Sequence, residues 1–275
     1  MRRIAAVLGY SRQYVYKQQT DQHRQASKEG VVKALVHQQR QQLPRIGTRK
    51  LYYLIKANLI KQDIKFGRDK LFALMKRYDL KVKPRRRYTQ TTMSKHWLRK
   101  WPNIAKHIFV TRPDQVWVSD ITYLKTEQGN CYLNMITDVF SRKIVGFAVD
   151  DNMETKSMIT ALDMAIKQRR NPALPTVHHS DRGLQYCSKE YVQMTADNNL
   201  LLSMTENGDP YENALAERMN RTIKEEFGLD QILASKAIVK PLVAQSIHLY
   251  NQKRPHLALN LNTPNAVYQA KIPVT

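Results

Sequence analysis

QVWVSDITYL, residues 115–124, decides the fold. Val, Ile, Thr, Trp and Tyr fill it, and such residues suit a pleated strand. Two further runs follow, CYLNMITDVF (131–140) and KIVGFAVD (143–150), separated only by polar links, EQGN around Gly129 and SR at Ser141 and Arg142. Links that short join consecutive antiparallel strands. The charge inside the first run is Asp120, set among Val118, Ile121 and Tyr123. A carboxylate there is costly to bury unless something pairs with it.

Downstream, the pattern predicts a helix over about residues 154–169, a strand at TVHHSD (176–181), a helix from about Ser188, a short run LLSM (201–204) and a long final helix. Three strands followed by alternating helices and strands imply an α/β protein with a mixed sheet and helices on its faces. This order is compatible with a ribonuclease H-like fold. Asp181 stands just past the fourth strand. The long helix is expected to start with Asp209 as N-cap, Pro210 at the first helical position and Glu212 completing a capping box. On it Leu215, Met219, Ile223 and Phe227 recur on the core side, while Glu217, Asn220, Arg221 and Lys224 share a polar side. Taken alone, Glu217 with Arg221 is an ordinary surface pair contributing about 0.3–0.5 kcal/mol.

As a set, Asp120, Asp181 and Glu217 are hard oxygen ligands without Cys or a matched His pair, which suits Mg²⁺ or Mn²⁺ over Zn²⁺. Two such ions, about 3.5–4 Å apart, can serve an in-line displacement at phosphorus. Asp138, in TDVFSRK, is expected to make a turn or to pair with Arg142. His178 and His179 stand near Cys187, yet no fourth ligand is spaced to make a zinc site.

Between Asp181 and Glu217 lie 35 residues, numbers 182–216. This spacing is similar to the D,D(35)E pattern of retroviral integrases and insertion-sequence transposases. HHSDRGLQY, SMTENGDPYENALAERMNRTIKEE and YNQKRPHLAL together resemble the second-frame product of an IS3-family transposase, and PRIGTRKLYYLI resembles the helix-turn-helix-like region before the family's catalytic core. The resemblance implies that Asp120, Asp181 and Glu217 are the catalytic, metal-binding carboxylates, holding two Mg²⁺ (or Mn²⁺) ions. It also makes Lys224 a DNA contact near the scissile end. Where the family often has Ser-Arg-Lys before a Gly, this chain has Thr205, Glu206 and Asn207, so a cationic DNA contact does not carry over there. Arg221 on the same helix side and His179 beside Asp181 are further candidate DNA contacts. Arg254, with His256 in the C-terminal motif, is expected to support the site, bind DNA or serve packing.

Outward from the core, charge divides the chain. Residues 1–112 hold 28 Lys and Arg against 5 Asp and Glu, whereas residues 113–275 hold 17 against 18. A basic module of that density is the footprint of a polyanion partner. Its start, IAAVLGYSRQYVYK, reads as two short helices around Gly9 with Ser11 capping the second, a spacing that suits a helix-turn-helix. Helical segments are expected at about residues 28–42, from Pro44 and from Gly67. Leu51, Leu54 and Ile55 lie at core spacing, leaving Arg49, Lys50 and Lys56 outside. Residues 81–113 read as a basic linker, in which Arg85, Arg86 and Arg87 beside Tyr88 either contact phosphates or belong to a solvated tether.

The expected organisation is a basic helical module (1–80), the linker (81–113), a catalytic core (114–230) and a C-terminal helical extension (231–275). Two cysteines 56 positions apart indicate neither a disulfide framework nor a cysteine zinc site. With no long apolar span, the expected location is cytoplasmic, at the nucleoid, without a membrane partner.

The function these features imply is a DNA-cutting and DNA-joining enzyme acting on double-stranded element ends and target DNA, as a homo-oligomer. In the resembled family this frame is commonly fused by translational frameshifting to an upstream frame, which implies that frame's product as a further partner. Two other readings stand beside it: a helix-turn-helix regulator with an inactive core, and a ribonuclease H acting on hybrids. The second leaves the basic module and the C-terminal motif unexplained.

Overall fold

A computed structural model describes residues 11–83, 101–206 and 210–270. The first helix expected around Gly9, the Asp209 cap and Arg85, Arg86 and Arg87 lie outside the described residues. The chain divides into two compact units, Met1–Pro84 and Arg85–Thr275.

In the first unit, helix α1 (Arg12–Gln42) begins where the Ser11 hydroxyl accepts the Tyr14 amide at 3.1 Å. It continues unbroken through residue 28, where the sequence reading began a separate helix. No proline intervenes before Pro44, and Gly30, with nothing within 4 Å of a Cβ built on it, is tolerated inside the helix. Helices α2 (Thr48–Lys61) and α3 (Arg68–Arg77) start after Gly47 and Gly67. They bury Leu51, Ile55 and Leu59, and Leu71, Leu74 and Met75; α1 contributes Val32, Leu35 and Val36 to the buried set. Leu54 is only partly buried. Arg49 and Lys56 are exposed, and Lys50 is half-buried.

The second unit is built on one five-stranded sheet in the order β3-β2-β1-β4-β5. Strands β1 (Val116–Thr126), β2 (Gly129–Asp138) and β3 (Ile144–Asp150) form the antiparallel meander read from their short links. Helix α4 (Thr155–Gln168) crosses over to β4 (Thr176–Ser180), which pairs in parallel with β1. Helix α5 (Lys189–Asp197) then leads to β5 (Leu200–Met204), parallel to β4. Beyond β5 lie α6 (Ala214–Glu226), α7 (Lys236–Lys253) and α8 (Pro264–Gln269).

Two apolar clusters cover the two faces of the sheet. One gathers Trp117, Val145, Leu162, Tyr186, Tyr191 and Tyr268; the other gathers Leu124, Leu133, Ile223, Val243 and Tyr250. Side chains of β1 alternate between them. Trp117 and Ser119 face the α4–α5 side, while Asp120, Thr122 and Leu124 face α6. The chain reverses its winding direction at β1, so the β1–β4 step is a switch point of the kind where open α/β sheets carry their sites. Among the described residues no helix is long and apolar enough to cross a membrane.

Candidate active site

Parallel pairing aligns Val116 with Val177, Trp117 with His178 and Val118 with His179. Carried two residues on, that register sets Asp120 alongside Asp181, just past the end of β4. Asp120 Oδ1 accepts the Ile121 amide at 2.9 Å, and Oδ2 accepts Asn220 Nδ2 from α6 at 2.8 Å. Asp181 Oδ1 accepts the Gly183 amide at 3.0 Å, closing a tight turn directly after the strand.

Glu217 lies in the first turn of α6, partly buried, three residues before Asn220. It does not pair with Arg221, which is exposed; among the described residues no ion pair joins the two. Lys224, one turn after Asn220, donates to Tyr123 O at 2.9 Å and to Thr122 Oγ1 at 3.2 Å.

Asp120 feels the charges of both other acids. Burial pushes the Asp120 carboxyl up to about 7, and the Asp181 and Glu217 charges add to the rise; the Ile121 and Asn220 hydrogen bonds oppose it. A carboxylate with that value is strained when ionised. Among the described residues, no three His, Cys, Asp or Glu side chains are drawn together closely enough to hold a metal ion. Carboxylate oxygens are the donor type that a hard divalent cation prefers, and that of Asp120 is destabilised by its neighbours' charge.

α6 begins later than its sequence suggested. Residues Pro210–Asn213 form a 3-10 turn and the α-helix proper starts at Ala214. The Glu212 carboxylate accepts the Glu206 amide. The core face is as expected in Met219 and Ile223, with Leu215 and Phe227 packed beside them.

Two expected DNA contacts are buried instead. His179 is 1% exposed, with Nδ1 against Ser203 Oγ at 2.9 Å and Nε2 against Glu212 O at 3.1 Å. Arg254 is 4% exposed; its Nε and Nη2 donate to the two Glu226 oxygens at 2.7 and 2.6 Å, and its guanidinium lies over the Tyr250 ring. Neither has a face left for a phosphate.

Asp138 takes the turn role. Fully buried, it accepts the Asp114 and Ser141 amides at 2.8 Å each, together with the Ser141 hydroxyl. His178 faces the opposite side of the sheet from His179 and shares a 2.7 Å hydrogen bond with the Tyr191 hydroxyl.

Three residues near the acids carried no assignment from sequence: Asn220, Asn213, whose Nδ2 donates to Ser119 O at 3.0 Å, and Tyr186, whose hydroxyl meets Ser119 Oγ at 2.8 Å. Their signal was spacing, since Asn213 and Asn220 stand four before and three after Glu217 on one helical side.

Comparison with known proteins identifies the family. The family described as Integrase core domain matches residues 110–210, and a second with the same description matches 198–264. The "Insertion element IS600 uncharacterized 31 kDa protein" of Shigella sonnei is 36% identical over 222 residues, spanning 80% of each chain. "Transposase InsF for insertion sequence IS3A" of Escherichia coli (strain K12) is 32% identical over 197 residues, 71% of this chain and 68% of that one. Among solved structures, the simian T-cell lymphotropic virus intasome in complex with PP2A regulatory subunit B56 gamma aligns over 83% of this chain and 77% of its own, at 16% identity and a TM-score of 0.50, a likeness of fold. On this evidence its sheet has the ribonuclease H-like fold of the Integrase core domain, and the chain belongs to the IS3-family insertion-sequence transposases.

Proposed function

We propose that this protein cleaves DNA at the ends of its element and joins the freed 3′-hydroxyl to target DNA by direct transesterification, with Asp120, Asp181 and Glu217 holding two Mg²⁺ or Mn²⁺ ions. The observation that carries this reading is the register that sets Asp120 beside Asp181, together with the Asn220–Asp120 bond that brings the Glu217 helix to the same corner. Bound divalent cations would supply charge neutralisation at the phosphate and would help activate the attacking oxygen and stabilise the leaving one.

The chain's own residues do the rest. Asn220 and the Gly183 amide orient one oxygen each of Asp120 and Asp181. The Asp181 and Glu217 charges disfavour ionised Asp120, and a bound cation would offset that repulsion. Because only the attacking oxygen changes, one site serves both cleavage and joining.

Arg221, exposed one turn beyond Glu217, is placed to meet a phosphate, and Lys224, on the same helix, steadies β1. The surface of the first unit, including Arg49 and Lys50, and the basic run Arg85, Arg86 and Arg87 supply non-specific attraction to duplex DNA. Partners under this reading are element ends, target DNA, further copies of the chain and the upstream-frame protein, in the cytoplasm at the nucleoid.

Replacing Glu217 by Gln tests the reading on labelled element-end duplexes in Mg²⁺. Expected is DNA binding within about twofold of wild type with cleavage and joining reduced about 10³-fold or more. Joining at the wild-type rate contradicts it and favours a regulator with an inactive core.

A further inference from the structure

Two hydrogen bonds join strands β4 and β1 to the 3-10 turn just before the helix that bears Glu217. His179 is buried in β4 with both ring nitrogens engaged. Its Nε2 faces Glu212 O, which can only accept, so that nitrogen carries the proton. Nδ1 then takes the Ser203 hydroxyl proton, and Ser203 Oγ accepts the Ala105 amide at 3.2 Å. The series of bonds runs one way and is satisfied by one neutral tautomer.

Beside Glu212, Asn213 anchors to Ser119 O, one residue before Asp120 on β1. Both links fall where the 3-10 turn passes into α6, and Glu217 follows one helical turn later. Apolar packing of Ala216, Met219 and Ile223 decides which side of α6 meets the sheet. Directional hydrogen bonds at its start decide where along the sheet it begins.

We infer that His179, with Asn213 beside it, is a positioning residue of the transferase site: its buried N–H holds the start of α6 so that Glu217 can share a divalent cation with Asp120 and Asp181. This rests on the carboxylate reading above. It assigns His179 a task that needs no contact with DNA, and it links β4 to the helix bearing Glu217 independently of the Asn220–Asp120 bond.

Calorimetric titration of Mn²⁺ into the full chain, alongside strand transfer, tests it. His179→Phe keeps an aromatic ring but removes both hydrogen bonds, whereas His179→Gln returns an N–H near the Nε2 position. Mn²⁺ affinity is expected to weaken about tenfold or more in His179→Phe and to stay within about threefold of wild type in His179→Gln, with DNA affinity unchanged in both. Wild-type Mn²⁺ affinity in His179→Phe overturns the inference. So does a Gln variant as weak as the Phe variant, because the residue would then act by shape and not through its N–H. If His179→Phe does not fold, Asn213→Ala replaces it, with the same loss expected and wild-type affinity overturning the inference. A Glu217→Ala control separates the two levels. Unchanged Mn²⁺ affinity there breaks the carboxylate reading and the inference with it, whereas a loss there beside a wild-type-like His179→Phe removes the inference alone.

Discussion

Asn220 donates to Asp120 Oδ2 at 2.8 Å, a bond across 100 positions of sequence that fastens α6 to β1. Four residues along the helix, Lys224 makes the corresponding contact with Thr122, two residues along the strand. The match has a geometric cause, since four helical residues rise about 6 Å and two strand residues advance about 6.6 Å. Helix and strand thus stay in step through the stretch that carries the acids.

Asn220→Leu leaves Asp120 Oδ2 without its donor while Asp181 still repels it. Urea unfolding at pH 8 in EDTA should show a loss of about 1–3 kcal/mol, because an ionised, partly buried acceptor is left unpaired. At pH 5, where Asp120 is protonated, the loss should shrink.

Asp120 itself sets a pH dependence. Its folded value, about 7, lies above its ordinary one, so the folded state holds a proton that the unfolded chain has released between about pH 4 and 7. Stability from this group is therefore complete below about pH 4 and is lost as pH rises through 7. Asp138, pushed up to about 6 by burial, adds a slope of the same sign. Asp120→Asn should remove the Asp120 part only. In EDTA the variant should exceed wild type at pH 8 by on the order of 3 kcal/mol and match it near pH 4. Mg²⁺ should narrow the gap at pH 8 by stabilising wild type alone.

The Arg254–Glu226 pair should behave as a structural bond. Arg254→Ala removes the guanidinium that both Glu226 oxygens accept from and should cost about 3–5 kcal/mol in thermal or chemical unfolding. Arg254→Met with Glu226→Leu should recover much of that. In both, the salt dependence of DNA binding by the folded protein should equal that of wild type, because Arg254 meets no phosphate.

Gly146 on β3 lets α4 approach closely. A Cβ there would sit 2.1 Å from Ala161 O, inside any allowed contact. Gly146→Ala should destabilise by about 1–3 kcal/mol or more, read as a lower urea midpoint.

The meander was legible from β-prone runs and short links, and the Asp181–Glu217 interval was legible from spacing. What stayed hidden depended on partners distant in the chain. Arg254 reads as a DNA-binding cation until Glu226, 28 positions away, is brought beside it. His179 reads as a surface neighbour of Asp181 until Ser203 and Glu212, 24 and 33 positions away, enclose it. The start of α6 misled for a local reason: Pro210 suits a 3-10 turn as well as a first helical turn, and the Glu212 carboxylate is spent on the Glu206 amide. Continuity of α1 was missed because Gly30 and the polar residues before it weaken a helix without ending it.

Anomalous diffraction from crystals of the full chain grown with Mn²⁺ and a non-cleavable element-end duplex measures the central claim most directly. The expected map places one peak between the Asp120 and Asp181 carboxylates and a second about 3.5–4 Å away, near Glu217. A fully ordered complex with no peak touching Asp120, Asp181 or Glu217 would contradict the account.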